Sequence, residues 1–377
     1  MPQRPPLSSP LVFNIRTLQA AQSGVQRYAR ELDDRWGDQV ERLRPPPSIP
    51  AQGIKGHLWE QFVLPAHCRG RLLFSPGNTG PLAYRQQIVT IHDASTFDQA
   101  EAFTGLFARW YRWLLPRLAR RARCIITVSR FSRDRICARL GISPERVQVI
   151  YNGVTPPPNL SRSVLDKEYE RLDLPERFLL FVGSQDPRKN VSRLLRAFSR
   201  ARLGNVELLL AGGADPLLFS SSSSTPKSIP RVRALGRVSD NTLEALYARA
   251  EGFIFPSVYE GFGLPPLEAM ARGCPVLTSD ASCLPEVCGP ALEQGGACLY
   301  FSPHSTEAIT GALEYFCNLP QAAKDSMAAA GRERARQFSW DRCAADTFSL
   351  LLQHSGTNYE VVDPAVSQQP LSQIRVA

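Results

Sequence analysis

Short, almost unbroken apolar runs alternate with helical patterns along most of the chain, and this rhythm occurs twice. Apolar runs without polar alternation are typical of strands that helices cover on both faces of a parallel sheet. The first series is interrupted at Pro156–Pro158, where a polar stretch begins, and the pattern resumes at residues 178–182. The runs of the first series lie at residues 11–15, 72–74, 88–91, 125–128 and 147–150.

The break in the rhythm predicts two α/β domains. We expect a first domain at residues 1–155, a linker at 156–175 and a second domain at 176–337. A last helical pattern at about 338–354 is expected to close the fold, and the tail at 355–377 is expected to be mobile because it holds few core residues. A length of 377 residues fits two domains of ordinary size.

Composition favours a cytoplasmic protein. Hydrophobic residues make up 43% of the chain, and no apolar run approaches the roughly 20 residues that span a bilayer. The apolar run at residues 11–15 is too short for the core of a signal peptide. Nine scattered cysteines without a CxxC pair favour free thiols over disulfides or a metal site.

The net charge of +9 is unevenly distributed. Residues 1–173 hold 25 Lys and Arg against 15 Asp and Glu, whereas residues 174–377 hold 19 against 20. A basic half can serve nucleic acid, an anionic membrane or an anionic acceptor. The half has no zinc spacing and no aromatic RNA-binding signature, so we expect no nucleic-acid partner.

The most basic segment is residues 109–123, RWYRWLLPRLARRAR. Arginines interleaved with tryptophan and leucine on a helix can dock at a membrane interface. A surface helix with a solvated arginine face explains the segment equally well. Pro116 is expected to kink or split the helix.

A short apolar strand at residues 252–255 leads into the stretch 255–275, FPSVYEGFGLPPLEAMARGCP, which contains a loop and a helix. The loop holds Glu260, and two prolines then open a helix that carries Glu268 and stops at Gly273. A glycine loop that leads into a helix N-terminus offers backbone N–H groups and partial positive charge to an anion. The stretch therefore predicts a phosphate seat with one carboxylate on each side. The alternative is a buried strand, turn and helix with two incidental surface glutamates.

Glu260 and Glu268, seven residues apart, resemble the E-x7-E signature of retaining glycosyltransferases with the GT-B fold, especially glycosyltransferase family 4. The surrounding YEGFGLPPLEAMARGCPVLTSD resembles the family over some twenty positions, and further motifs follow the family's order over most of residues 11–350. The resemblance implies two Rossmann-like domains facing each other across a cleft. It also implies that the C-terminal helix returns to the first domain and that the second domain holds the nucleotide.

A second cationic motif follows the strand at residues 178–182. Arg188 and Lys189 stand at a strand-to-helix turn, where they could neutralise a diphosphate leaving group. The turn resembles the family's G-R-x-x-P-x-K-[GN] loop, and Lys189 matches its lysine. Ser184 stands where many members carry arginine, so Arg188 is the candidate to supply that charge. The alternative is two solvated cations at a helix start.

Other motifs resemble the family more locally. SGVQRY resembles its GG-[IV]-x-R-[YV] stretch, which implies that Gly24 faces the donor diphosphate or the reaction centre; a plain turn glycine is the alternative. His92 follows an apolar strand directly, at an edge where open α/β sheets bind ligands. We expect His92 to hydrogen-bond sugar or acceptor, with Asp93 orienting it. By resemblance the Arg237–Val238 backbone borders the nucleobase, and Asp240 is expected to cap a helix.

The resemblance also implies roles for the central motif. Glu268 would bind the ribose hydroxyls, and Glu260 would hold the donor sugar and lend negative charge near an oxocarbenium-like centre. Backbone groups would bind the diphosphate together with Lys189 and Arg188. We thus expect catalytic roles for Glu260, His92, Lys189 and Arg188, and donor contacts from Gly261, Phe262, Gly263 and Leu264. No tightly bound cofactor or metal is expected.

The IHD and DPRKN variants resemble bacterial polysaccharide and O-antigen transferases, which favours GDP-mannose as the donor. A UDP- or dTDP-sugar is the next choice. The acceptor implied is a glycan or lipid-linked oligosaccharide of a surface polysaccharide, such as lipopolysaccharide, at the inner face of the cytoplasmic membrane. Two other functions stay open: a GT-B-fold sugar-nucleotide epimerase, and a non-catalytic glycan-binding protein.

Overall fold

The structure is a computed structural model that describes residues 11–19, 23–51, 53–184, 186–213 and 229–356. Two compact units form the chain. The first contains the residues up to Gly153 together with those from Ser339, and the second is Val154–Phe338. Most of the tail predicted to be mobile, from residue 357 onward, lies outside the described residues.

A parallel six-stranded sheet in the order β2-β1-β3-β4-β5-β6 forms the centre of the first unit. Its inner strands are buried along their whole length, as the unbroken apolar runs predict. The strands are β1 Leu11–Asn14, β2 Glu41–Leu43, β3 Leu72–Ser75, β4 Gln87–Thr90, β5 Cys124–Thr127 and β6 Val147–Val149. The helices are α1 Gly24–Trp36, α2 Gly53–Leu58, α3 Leu64–Cys68, α4 Ser95–Asp98, α5 Gly105–Arg121 and α6 Arg130–Leu140, with a π-helical turn at Trp59–Val63.

The second unit contains another parallel six-stranded sheet, in the order β12-β11-β10-β7-β8-β9. Its strands are β7 Phe178–Val182, β8 Glu207–Ala211, β9 Val232–Gly236, β10 Gly252–Phe255, β11 Val276–Ser279 and β12 Cys298–Phe301. Its helices are α7 Arg162–Leu172, α8 Val191–Arg200, α9 Asp240–Arg249, α10 Leu264–Ala271, α11 Leu284–Cys288, α12 Thr306–Cys317 and α13 Gln321–Ala335.

The closing helix, α14 at Trp340–Ser355, belongs to the first unit. Ser339 caps its start, and the Trp36 indole donates a 3.2 Å hydrogen bond to the Ala344 carbonyl. Gly153 lies against the same helix start, because a Cβ at that position would come within 2.0 Å of the Trp340 nitrogen. The return of the last helix to the first unit is therefore built into the packing of that unit.

Two local expectations were wrong. The predicted linker at residues 156–175 contains helix α7, which packs on α9 through a 2.9 Å hydrogen bond from Arg171 to Thr242. No residue of α7 is fully buried, and charged residues interrupt its apolar positions Leu165, Tyr169 and Leu172, so in sequence the stretch resembles a polar linker. Pro116 does not split α5, which runs unbroken through it because buried Leu115 and Leu118 hold both halves on the core.

Each sheet has a point at which the strand order reverses. In the first sheet this point lies between β1 and β3, and in the second it lies between β7 and β10. Crossover connections leave in opposite directions on the two sides of such a point, which opens a crevice at the carboxyl ends of the two strands. The fold thus predicts one ligand crevice for each unit.

Candidate active site

An ion pair lies at the reversal point of the second sheet. The Lys189 ammonium donates to Glu260 Oε1 at 2.6 Å, and the two side chains are 18% and 12% exposed. Lys189 follows β7 and Glu260 follows β10, so the pair joins the carboxyl ends of the two strands that flank the crevice. The Lys189 ammonium also lies 4.9 Å from the centre of the Phe255 ring. The structure therefore brings together the two charged residues that the sequence placed 71 positions apart.

The turn that carries Lys189 is fixed on both sides. Asp186 caps the short 3-10 helix Pro187–Lys189 by accepting from the Arg188 N–H at 2.9 Å. Asn190 then takes a left-handed conformation, with φ of 59°, and its side-chain amide donates to the carbonyls of Pro256 and Pro303 at 3.0 and 2.8 Å. One amide thereby ties the loop after β7 to the loops after β10 and β12.

The loop that carries Glu260 is held by backbone contacts. The Glu260 N–H donates to Ser282 Oγ at 3.0 Å, and the Val258 N–H donates to the Arg188 carbonyl at 2.8 Å. Ser279 Oγ donates to the Ser257 carbonyl at 2.5 Å one strand further on. Because each bond reaches a neighbouring loop, the position of the Glu260 carboxylate is set by the sheet edge as a whole.

Helix α10 begins at Gly263, which no other residue could replace without strain. Gly263 has φ of 90°, and a Cβ there would come within 2.7 Å of Leu284 Cδ2. Pro265 and Pro266 carry no N–H, so the first turn keeps the N–H groups of Gly263 and Leu264 as its donors without an intrahelical partner. The helix start thus points a small set of N–H groups and partial positive charge outward.

Glu268 lies one turn into α10 and is buried, with 8% of the residue exposed. The Tyr247 hydroxyl donates to its Oε2 at 3.5 Å. Arg272 follows on the same helix and is itself paired with Glu244, with its Nε 2.7 Å from Oε2. Glu268 is therefore no incidental surface glutamate.

Arg188 differs from the expectation that it supplies a spare positive charge. Its guanidinium binds the Asp186 carboxylate through Nε at 2.9 and 3.0 Å. Burial raises the pKa of Asp186, but the hydrogen bonds and charge of Arg188 outweigh it and lower the pKa below its usual range. The positive charge of Arg188 is thus already compensated by Asp186. The residue after Ser184 lies outside the described part of the chain.

Arg237 and Val238 follow β9, which is two strands away from β7 in the sheet. Since neighbouring strands lie about 5 Å apart, β9 and β7 are separated by roughly 10 Å. The residue that caps α9 is Ser239, whose hydroxyl accepts from the Thr242 N–H, and not Asp240 as predicted. Serine ahead of aspartate takes the cap because its backbone is extended where the helix starts.

In the first unit, His92 lies at the carboxyl end of β4 and is 7% exposed. Its Nε2 lies 2.8 Å from the Pro76 carbonyl, and its ring meets Tyr28 edge-on at 5.0 Å. Burial lowers the pKa of His92, against smaller opposing effects of the Pro76 hydrogen bond and the Asp93 charge. The Asp93 carboxylate itself accepts from the Ser95 N–H at 2.8 Å.

These contacts select one tautomer of His92. A carbonyl oxygen can only accept, so Nε2 carries the proton in the neutral ring, and Nδ1 is left as an acceptor. The Pro76 carbonyl therefore helps to orient the ring.

A buried polar cluster occupies the reversal point of the first sheet. Glu60, with 0% exposure, accepts from Asn14 at 2.9 Å, from Arg16 at 3.2 Å and from Thr79 at 3.0 Å. Burial raises the pKa of Glu60, but the neighbouring His57 ring and the charge of Arg16 outweigh it and lower the pKa. Gly24 begins α1 on the exposed surface after the same strand.

Comparison with known proteins gives the family. Residues 165–334 match the family model for glycosyl transferases group 1, and residues 26–156 match the model for Glycosyltransferase Family 4. The chain is 30% identical over 280 residues to an Escherichia coli protein named O-antigen chain mannosyltransferase B, an alignment that covers 71% of each. The chain belongs to glycosyltransferase family 4.

Further relatives of this family 4 glycosyltransferase carry similar names. The Salmonella typhimurium O-antigen chain mannosyltransferase RfbU is 30% identical over 254 residues, which is 67% of this chain and 66% of that one. The crystal structure of Anabaena HepE in complex with UDP superposes with a TM-score of 0.69 at 18% identity, and covers 91% of this chain and 99% of that one. The two-domain GT-B fold is therefore confirmed.

Sequence reasoning missed several residues that build the site of the glycosyltransferase. Asn190 and Ser282 hold the two charged loops, yet their partners are backbone groups far along the chain. The Arg16–Glu60 pair spans 44 positions without any spacing rule that could reveal it. The Asp186 cap was available from the sequence, because aspartate ahead of proline is a common helix start.

Metal-binding clusters and membrane spans are both absent from the described part of the glycosyltransferase. No group of three or more His, Cys, Asp or Glu side chains among the described residues could hold a metal ion. No helix in the same ranges is long and apolar enough to cross a bilayer.

Proposed function

We propose that this glycosyltransferase moves a hexose, with mannose from GDP-mannose as the donor, onto a glycan or lipid-linked oligosaccharide of a surface polysaccharide. The names of the two bacterial O-antigen mannosyltransferases, each 30% identical to the chain, support the donor and the acceptor class. We further propose that the anomeric configuration is retained and that the enzyme works in the cytoplasm, in peripheral contact with an anionic membrane.

The observation that carries the proposal is the 2.6 Å contact between Lys189 and Glu260 at the reversal point of the second sheet. A sugar nucleotide presents a diphosphate directly beside a neutral sugar with several hydroxyls. A cation beside a carboxylate matches those two adjacent parts, because the cation binds phosphate oxygen and the carboxylate accepts from sugar hydroxyls. Each residue keeps the other's charge compensated until the donor takes its place between them.

In the transfer, the bond between the anomeric carbon and the diphosphate oxygen breaks, and the nucleoside diphosphate leaves with the electron pair. The acceptor hydroxyl oxygen forms the new bond to that carbon and gives its proton to a base or to the departing diphosphate. Lys189, Arg188 and the N–H groups of Gly263 and Leu264 would stabilise the leaving anion. Glu260 would stabilise positive charge on the sugar.

The other predicted residues take supporting roles in the proposal. The Nδ1 atom of His92 can accept a hydrogen bond from a sugar or acceptor hydroxyl. Glu268 would bind the ribose hydroxyls, and the backbone at Arg237 and Val238 would border the base. Gly24, with the backbone at Gly261 and Phe262, would complete the diphosphate seat. The cations and N–H groups supply the positive potential, so we propose that no metal ion is required.

A thermal-shift panel tests the donor and the site together. The panel contains GDP, UDP, dTDP and ADP, together with the sugar conjugate of each nucleotide. Each ligand is added to the wild type, to Lys189→Ala and to Lys167→Ala. The last variant is the matched control, because Lys167 is an exposed lysine of α7. A ligand that binds only the folded state at a hundredfold excess over Kd stabilises it by about 2.7 kcal/mol. We expect a shift with GDP and GDP-mannose in the wild type and in Lys167→Ala, and none in Lys189→Ala.

Each other outcome rejects a defined part of the proposal. A larger shift with UDP or dTDP rejects GDP-mannose but leaves the enzyme class intact. When the enzyme is incubated with the sugar nucleotide, release of nucleoside diphosphate without a glycoside product would indicate an epimerase. No shift with any nucleotide would reject the donor site.

A further inference from the structure

Exposed apolar side chains are concentrated on the first unit. Among the described residues, every exposed large hydrophobic side chain except Tyr315 lies at residues 54–63 or 106–113. Ile54 and Leu106 are each 77% exposed, and Phe62 is 74% exposed. We call these residues the apolar face: Ile54, Leu58, Phe62, Val63, Leu106, Phe107 and Trp113. Single exposed hydrophobic residues are ordinary on protein surfaces, but a cluster of seven marks an interaction site.

The first segment of the apolar face is rigidly mounted. Ile54, Leu58 and Phe62 are spaced four residues apart on α2 and the π-helical turn, so they line one side of a continuous helical stretch. The other side is anchored by buried Glu60 and by Gln61, whose amide donates to the Gly80 carbonyl and accepts from the Leu82 N–H at 2.8 and 2.9 Å. The exposed side chains therefore lie on a helical segment that is anchored to the rest of the unit.

The second segment is the outer side of α5, and it touches the first. The His57 ring of α2 meets the Trp110 ring at 5.7 Å, and Trp110 stacks on Trp113 at 5.3 Å. The opposite side of α5, with Leu114 and Leu118, is buried in the core. The interaction surface thus differs from the predicted segment 109–123, because a third of that segment is buried and the first apolar segment lies elsewhere in the chain.

The charges within the two segments that carry the apolar face are almost all positive. Residues 53–70 and 104–123 hold eight Lys and Arg but a single acid, Glu60, which is buried and paired with Arg16. Arg109, Arg112 and Arg117 are exposed on α5, and the Arg117 guanidinium lies 4.7 Å from the centre of the Trp113 ring. Apolar side chains that project between arginines are complementary to a bilayer with anionic headgroups and an acyl interior.

The apolar face borders the edge of the sheet that carries His92. Helix α5 is part of the connection that leaves the carboxyl end of β4, so its first turn, with Leu106 and Phe107, starts from that edge. Glu60, in the turn that carries Phe62, binds Asn14 and Arg16 at the carboxyl end of β1. Both segments are therefore attached where this unit is expected to meet its substrate.

We propose that the apolar face and its arginines dock the first unit onto an anionic lipid bilayer, with Ile54, Phe62 and Leu106 inserting at the boundary between headgroups and acyl chains. The inference rests on the proposed function for its purpose, because a lipid-linked acceptor would be presented at that bilayer. It adds to that function the surface that makes the contact and the side of the first unit that faces the bilayer.

Vesicle flotation of the full chain tests the proposal. Vesicles of equal parts phosphatidylglycerol and phosphatidylcholine are compared with vesicles of phosphatidylcholine alone. We expect the wild type to bind the anionic vesicles at least about tenfold more strongly, since each arginine near an anionic surface contributes about a fivefold gain. The triple variant Ile54→Ser/Phe62→Ser/Leu106→Ser should lose at least about tenfold in binding at every salt concentration.

Charge variants separate the electrostatic part. Arg109→Gln/Arg117→Gln should bind anionic vesicles about 25-fold more weakly at low salt, with a smaller loss at high salt. Tyr315→Ser and Arg200→Gln/Arg336→Gln, which change exposed residues of the second unit, are the matched controls and should bind like the wild type. Thermal melts confirm that each variant is folded.

Three results would overturn the proposal. The first is a wild type that floats with neither kind of vesicle, and the second is a triple variant that binds vesicles as the wild type does. The third is an absence of vesicle binding together with self-association in sedimentation that the triple variant loses. The last result would assign the face to a second copy of the chain. The nucleotide thermal shift is measured on the same samples. Flotation without any nucleotide-induced thermal shift would support docking and reject the donor site. A nucleotide-induced thermal shift without flotation would support the donor site and reject docking.

Discussion

The two sheets have the same number of strands and the same parallel direction, yet their reversal points are filled differently. In the second unit, the crevice between β7 and β10 holds the partly exposed Lys189–Glu260 pair and the open start of α10. In the first unit, the buried Arg16–Glu60 pair fills the crevice between β1 and β3, and its side chains are 8% and 0% exposed.

The difference lies in how the charges are satisfied. Glu60 accepts hydrogen bonds from three side chains, those of Asn14, Arg16 and Thr79. Glu260 instead pairs with Lys189, and both side chains keep part of their surface exposed. A fully hydrogen-bonded buried pair is part of the scaffold, because breaking it leaves an uncompensated charge in the interior. A part-exposed pair can exchange partners with a ligand. Similar topology therefore supports a structural centre in the first unit, and in the second unit it supports the chemical centre that we propose.

The largest expected effect is on the stability of the first unit. Glu60→Gln leaves the Arg16 charge buried without its partner and should lower the free energy of unfolding by about 3–5 kcal/mol. Denaturant unfolding measures the change. Glu307→Gln, which breaks an exposed pair with Arg200, is the control and should cost less than about 1 kcal/mol. Equal losses in the two variants would contradict a structural role for the Arg16–Glu60 pair.

In the second unit, Lys189→Met should reduce kcat by about 10²–10³-fold, which is the range for removal of one group that stabilises a developing anion. The same substitution should change unfolding far less than Glu60→Gln does, because Lys189 is partly exposed. Steady-state kinetics with the donor found in the thermal-shift panel measures the loss, and Lys167→Met is the control. A variant with normal kcat and raised KM would show that Lys189 binds the donor without acting in the transition state.

Gly263→Ala tests whether the start of α10 is shaped for a ligand. Its positive φ should cost about 1–2 kcal/mol, and the 2.7 Å approach of the new Cβ to Leu284 should add to that. Gly295→Ala is a matched control, since Gly295 has φ of 76° and open space within 4 Å of the position that a Cβ would take. We expect Gly263→Ala alone to weaken the nucleotide-induced thermal shift. Loss of the shift in both variants would mean that general destabilisation is the cause.

The smallest expected effect is the pH dependence that His92 confers. Burial lowers the pKa of His92 below 6.5, so the unfolded chain takes up a proton on this ring before the folded chain does. Stability contributed by the neutral ring is therefore complete above pH 6.5 and is lost as the pH falls below it. Thermal melts across this range should show a shallower acid loss in His92→Gln, whereas the control His304→Gln, at an exposed position, should follow the wild type.

The activity of the wild type gives a second measurement on His92. Protonation would remove the Nδ1 acceptor, so kcat/KM should fall on the acid side of the folded-state pKa, and His92→Gln should lack this limb. An unchanged acid limb in the variant would assign it to another group.

The sequence alone determined the architecture of this protein to a large extent. The apolar runs at residues 11–15, 72–74, 88–91, 125–128 and 178–182 became β1, β3, β4, β5 and β7, which are buried along nearly their whole length, and burial of that kind leaves an unbroken apolar signature. No run predicted β2 or β9, because edge strands such as Glu41–Leu43 and Val232–Gly236 are only partly buried and tolerate charged residues. The edge strand β12 was missed as well, although it is mostly buried. Helix α7 was missed because none of its residues is fully buried and charged residues interrupt its apolar positions.

The tertiary structure decided which residues meet and which remain available. The sequence indicated Lys189 and Glu260, but only the strand order places β7 beside β10 and brings their side chains to 2.6 Å. It indicated Arg188 as a spare cation, and the fold pairs that residue with Asp186. No pattern revealed the Arg16–Glu60 pair or the two-part apolar face, because local patterns carry propensity and burial, whereas contacts between distant segments depend on how the sheet orders its strands.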